Sequence, residues 1–313
     1  MNKIMINVGN NSSTSILIAK IIVLSLVLIT PLYASVPKVL VTIKPIHALV
    51  TGVMDGIETP YLLLSGSQSP HNYNLYPSQV RQLHAANLIV WVGPLVESFL
   101  TKALTTVSDN SQILRLIDIS GLKLLQIRKN WETHHEHNGK FKIDPHIWLT
   151  PDNAKIIVQT VAKTLVQIDP NNATQYTNNA ARLIERLSQL DQTLTQRLKP
   201  IQKLPYLIFH DAYQYFENKY KLNAKGAIKL SPEIRPSVKR LHKLRLQIKN
   251  QQIRCIFSEP QFESSLITTL TEGTTIQYGV LDPLGINLTS GTESYFTLLN
   301  DMATSLQQCL QPK

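Results

Sequence analysis

The chain has 313 residues, 43% hydrophobic and 17% charged, with 31 Lys and Arg against 21 Asp and Glu for a formal charge of +10. This is too apolar for a disordered chain and too long for a disulfide scaffold, and it allows one large or two ordinary domains. No segment reaches the roughly 20 uninterrupted apolar residues of a spanning helix, and there is no low-complexity block, heptad run or solenoid repeat.

In chain order, the first segment reads as a secretory signal over residues 1–34. The apolar run Ile21–Ile29 follows Lys3 and Lys20, Pro31 breaks the pattern, and Ala34 offers a small residue for cleavage. No cysteine lies nearby, so a lipoprotein anchor is not expected. Lys38–Ile43, Pro60–Leu64 and Leu88–Val92 read as strands, two of them continuous apolar runs typical of strands buried on both faces. Asp152–Ile168 is helical in period. Ala173, Tyr176, Ala180, Leu183, Leu187, Leu190, Leu194 and Leu198 then form one apolar stripe, which predicts a helix of nearly 40 Å ending at Pro200. It reads equally as a spine between two lobes or as an ordinary surface helix. Strands at Pro205–Phe209, Gln252–Phe257 and Thr275–Val280 alternate with helices at Ile234–Ile248, Ser264–Thr271 and Tyr295–Leu310. Two strand–helix series imply two α/β lobes.

Cys255 and Cys309 are the two cysteines. In an exported chain they pair as one disulfide or remain buried thiols. The basic run Lys239–Lys249 reads as a solvated face or as a surface for anionic outer-leaflet or cell-wall groups; no basic groove interleaved with aromatics points to nucleic acid.

Nine histidines occur. His84 and His242 sit in polar helical patterns and read as solvated. His71 follows the turn-rich Gly66–Pro70, His146 follows Asp144-Pro145, and His210 ends a strand-like run. Each stands at or just past an extended segment, where ligand sites of open α/β sheets collect. Two belong to the first lobe and one to the second, so a site using all three lies between lobes. Three neutral imidazoles and an oxygen suit tetrahedral Zn²⁺, with Asp282 the best-placed acid. Asp282 reads equally as a turn-forming residue before Pro283, and strand-end histidines can equally be structural. Asp144 and Asp211 read as groups supporting the ligands. His134, His135 and His137 lie in the polar segment Trp131–Lys140, as weak metal ligands or as solvated groups. H-E-x-x-H, G-x-S-x-G, the phosphate-loop motif and G-x-G-x-x-G are absent, and no Glu with an obvious general-base position neighbours the three histidines. A closed metal site without a base binds rather than catalyses, so no enzyme is expected.

Seven ordered segments then carry a resemblance: Ile43–His47 (IKPIH), His71–Ser78 (HNYNLYPS), Trp91–Pro94 (WVGP), Asp144–Leu149 (DPHIWL), Phe209–Phe216 (FHDAYQYF), Ser258–Phe262 (SEPQF) and Leu281–Gly285 (LDPLG). From about Val36 onward the chain resembles the periplasmic zinc-binding proteins of bacterial zinc ABC importers, the ZnuA-type solute-binding proteins of cluster A-I. The resemblance implies two Rossmann-like lobes, 35–170 and 200–313, joined by a long rigid helix over 171–199, with metal in the cleft. It implies His71, His146 and His210 as Zn²⁺ ligands, Asp282 or water as the fourth, and a Cys255–Cys309 disulfide. Trp131–Lys140 matches the family's histidine-rich loop, here short. The implied protein is a periplasmic monomer that hands Zn²⁺ to a membrane permease, with no nucleic acid partner and no stable membrane anchor.

Pro70 stands where many members carry an acid before the first ligand. Manganese or iron receptors of the same group use two carboxylates, and His210 stands where they look to have Glu. A metal-dependent adhesin and a secreted zinc hydrolase are the readings from other classes.

Overall fold

The computed structural model describes residues 35–128, 131, 143–229, 235–262 and 265–311, with residues 1, 4 and 5. Most of the expected signal segment and His134, His135 and His137 lie outside the described residues. Residues 36–313 form one compact unit.

The apolar run near residue 40 becomes β1 (Val39–Val41). It pairs in parallel with β2 (Tyr61–Leu62) on one side and β3 (Leu88–Trp91) on the other, and β3 pairs with β4 (Gln112–Arg115). Between them run α1 (Lys44–Val53), α2 (Pro77–Ala85) and the short α3 (Leu100–Ala103). α1 and α2 start with Pro in the first turn, where its missing N–H costs nothing. The first sheet therefore has the order β2-β1-β3-β4. α4 (Pro151–Ile168) is capped by Thr150, whose side chain accepts from the Asn153 N–H.

α5 (Ala173–Leu198) is the predicted long helix, 26 residues and about 39 Å. Tyr176, Asn179, Ala180, Leu183, Leu187, Leu190, Leu194 and Leu198 are its buried residues. That stripe joins one apolar core containing residues of both sheets, α1 and the C-terminal helix. Gly52 of α1 marks the tightest approach: a Cβ there would stand 2.8 Å from Leu183 and 2.9 Å from Thr292.

The second lobe repeats the first in topology. β5 (Pro205–His210) pairs with β6 (Asn223–Lys229) and β7 (Cys255–Ser258), and β7 pairs with β8 (Gln277–Val280), all in parallel and in the order β6-β5-β7-β8. α6 (Gln214–Tyr220), α7 (Val238–Asn250), α8 (Ser265–Thr271) and α9 (Glu293–Leu310) complete it. Cys255 and Cys309 form a disulfide that ties β7 to α9. The architecture is thus two parallel-sheet α/β lobes with a long central helix. Among the described residues, no helix is long and apolar enough to cross a membrane.

Several hydrogen bonds cross between lobes. Trp148 Nε1 donates to the Pro283 carbonyl at 2.8 Å, Tyr295 to the Trp148 carbonyl at 2.7 Å, and Tyr215 to the Asp144 carbonyl at 2.7 Å. Lys44 donates to the carbonyls of Ile286 and Leu288.

Candidate metal site

In each sheet the chain leaves the first strand to one side and later returns to the other. The gap between β5 and β7 is such a reversal point, and ligand sites of open α/β sheets form just beyond the strand ends there. His210 is the last residue of β5, and Glu259 directly follows β7. His146 enters from the first lobe on Asp144-Pro145-His146, before the 3-10 turn Ile147–Leu149. His71 arrives on the segment after β2, its N–H held by Ser69 Oγ at 3.3 Å.

The three imidazoles converge. One ligand atom from each of His71, His146 and His210 lies within 4.8 Å of the others. Ring centroids are 5.6 Å apart for His71–His146, 6.1 Å for His71–His210 and 5.4 Å for His146–His210. His146 and His210 are buried and His71 is half-buried. The space they border is about 10 Å³, roughly what one water-sized sphere occupies. Trp148, Phe262, Pro283 and Leu284 close its sides.

Each ring is fixed from behind. Asp144 Oδ1 accepts from His146 Nδ1 at 2.8 Å and from its backbone N–H at 3.0 Å. Glu259 Oε1 accepts from His210 Nδ1 at 2.6 Å. His71 engages the Leu95 carbonyl. An acceptor at Nδ1 favours the tautomer with the proton there and turns Nε2 towards the centre of the site. His146 Nε2 and His210 Nε2 face each other at 3.5 Å. Nitrogens bound about 2.0–2.1 Å from one tetrahedral ion lie about 3.3 Å apart, close to this spacing. Burial, reinforced by the neighbouring His146 and His210, holds the His71 imidazole well below its usual range, so it stays neutral.

Beneath the rings lies a group of acids around one guanidinium. Arg128 pairs with Glu217 and approaches Asp211 Oδ1 at 3.3 Å. Burial pushes the Asp211 carboxyl up to about 7, with Arg128 opposing and Asp144 and Glu217 adding to the rise.

The structure does not bring Asp282 into the group. Its Oδ1 accepts from the N–H groups of Leu284 and Gly285, both at 2.9 Å, and from Gln261 at 3.2 Å, while Oδ2 accepts from Ile286 N–H at 2.7 Å. The carboxylate builds the turn, the second of the two roles its sequence position allows. Asp144 stands behind a candidate ligand as expected, whereas Asp211 touches Arg128 instead. Glu259 is the site residue that the sequence reading missed: a Glu does neighbour His210, behind the ring at Nδ1. It was hidden because the contact spans 49 residues and needs β5 and β7 adjacent; its signal was an acid directly after a buried strand. His84 and His242 are exposed, and His47 is buried with Nε2 2.9 Å from the Pro60 carbonyl.

Two parallel-sheet lobes around a spine helix, with inward-facing donors from both lobes in one cleft, define the class of two-lobed solute-binding receptors. Residues 39–309 match the ZnuA family, "Zinc-uptake complex component A periplasmic". The chain belongs to this family. It is 38% identical over 304 residues to the high-affinity zinc uptake system protein ZnuA of Brucella abortus (strain 2308), covering 87% of this chain and 91% of that one. To the protein of the same name from Yersinia pestis it is 33% identical, covering 92% and 95%. A crystal structure of ZnuA superposes with a TM-score of 0.77 at 25% identity, covering 88% of this chain and 99% of that one.

Proposed function

We propose that this chain is an extracytoplasmic receptor that captures Zn²⁺ on His71, His146 and His210 and hands it to the membrane permease of an ABC importer. The observation that carries this is the facing pair of Nε2 atoms, 3.5 Å apart, on two rings each anchored by a carboxylate at Nδ1. A set of three nitrogens suits Zn²⁺ better than Mn²⁺, which favours oxygen donors. Water takes the fourth position, because the Asp282 oxygens are occupied by the turn. Gln261 and Glu259 border the same space, and Gln261 Oε1 and Glu259 Oε2 have no hydrogen-bond partner among the described residues, so both are acceptors for that water. Asp144 and Glu259 each hold an outer ring nitrogen through one carboxylate oxygen.

On this reading residues 1–34 are an export signal, the lobes span 35–170 and 200–313 around the helix of 171–199, and the working form is a periplasmic monomer. Calorimetric titration of metal-free protein tests it. One tight zinc equivalent is expected, displaced weakly or not at all by excess Mn²⁺. Tight binding retained in His146→Ala would refute the assignment.

A further inference from the structure

The surface of α7 carries a feature that metal capture does not use. Over Val238–Asn250 the helix contains Lys239, Arg240, Lys243, Arg245 and Lys249 with no acid. Leu244 and Ile248 are buried against the second sheet. At 100° per residue, the opposite side centres on Leu246, with Lys239, His242, Lys243 and Lys249 around it, all exposed. Leu246 is 46% exposed and Val238, in the first turn, 84%. Arg245 turns aside to the Thr269 carbonyl, with Glu272 at 3.9 Å. The outward side is therefore cationic and partly apolar.

Its position relative to the cleft is fixed by β6. Lys229, at the end of that strand, is in register with His210 of β5. Arg240 donates to the carbonyls of Ile228 and Ala227, which holds the first turn of α7 level with the strand end that carries the candidate ligand. The cationic face thus begins at the end of the second lobe where the metal site lies.

We propose that this face of α7 rests on the anionic phospholipid surface of a bilayer, reversibly. Flexible lysine stems around an exposed leucine suit a fluid anionic surface: the ammonium groups meet phosphates while Leu246 and Val238 enter the headgroup layer. The contact is independent of metal binding.

Vesicle co-sedimentation tests the proposal. The full protein should bind vesicles of phosphatidylcholine mixed with phosphatidylglycerol and ignore pure phosphatidylcholine. Binding should vanish between about 0.1 M and about 1 M salt, where the screening length falls from about 10 to about 3 Å. Lys239→Glu/Lys243→Glu/Lys249→Glu should weaken it at least about tenfold. A control with the same charge change on exposed lysines elsewhere, Lys102→Glu/Lys163→Glu/Lys199→Glu, should weaken it less than about threefold. Zinc affinity and thermal midpoint should be unchanged in both triple variants, which separates this contact from the zinc reading. No binding to anionic vesicles, or equal losses in the two variants, overturns the proposal. So does a face that engages the permease in neutral lipid but no anionic vesicle, which would make the partner an acidic protein surface.

Discussion

Replacing Glu259 by Gln changes the metal site without removing a ligand. Glu259 is 2% exposed, and its Oε1 holds His210 Nδ1 at 2.6 Å. Gln keeps the size and can still accept that proton through its amide oxygen, but a neutral acceptor is about half as strong as a carboxylate. The lost negative charge also lowers the electron density that Glu259 lends to Nε2 on the far side of the ring. Losing such a supporting carboxylate typically costs 10–100-fold in metal affinity, or about 1.4–2.7 kcal/mol. The metal-free protein should not lose stability, because the substitution also removes a buried charge. Competition against a chromophoric zinc chelator reads the affinity, and a thermal scan without metal reads the stability. An affinity within about twofold of the parent, alongside a full loss in His210→Ala, would refute the idea that the carboxylate sets the basicity of the imidazole. A drop in the metal-free midpoint matching the drop in affinity would show a structural role instead.

Asp282→Asn should still bind one zinc equivalent, but lose about 1–3 kcal/mol in denaturant unfolding because one amide hydrogen must oppose a backbone N–H; loss of the zinc equivalent would make Asp282 a ligand. Cys255→Ser/Cys309→Ser opens a loop of 54 residues and should lower stability by about 4 kcal/mol without changing zinc stoichiometry, checked by guanidinium titration and calorimetry. Gly52→Val should cost about 1–3 kcal/mol, since its side chain meets Leu183 and Thr292 below 3 Å, and a thermal shift assay measures it. Burial holds the His47 imidazole below its ordinary 6.5, against the Pro60 carbonyl, which raises it. The unfolded chain therefore takes up more protons below that value, and the metal-free protein should lose stability as pH falls through it. His47→Gln should flatten that decline in midpoints measured across the range.

The apolar runs of β1, β3 and β5 were legible because strands covered on both faces need no polar alternation. The stripe of α5 was legible because eight positions kept helical spacing. β6, with the sequence Asn-Ala-Lys-Gly-Ala-Ile-Lys, was not: it is an edge strand, and its polar first half hides its buried second half. β4 is a second edge strand, with Ile113 39% exposed. At the site, the three histidines could be picked out because each follows an extended segment. Asp144 could be placed because it lies two residues from His146. Glu259 could not, since strand adjacency is a property of the whole sheet. Asp282 showed the limit of local reading, because an acid after a strand and before Pro serves a turn or an ion equally well.

The packing of Gly52 against Thr292 has a consequence for how the molecule is made. α1 is among the earliest elements to be synthesised, and one side of it is covered by α9, which follows every other described element. The part of α1 that α9 covers must stay open while some 240 residues are translated, counted from Val53 to Glu293. The first half of this protein is therefore committed early in sequence and completed late in time. A chaperone that shields nascent chains would find its binding stretch there.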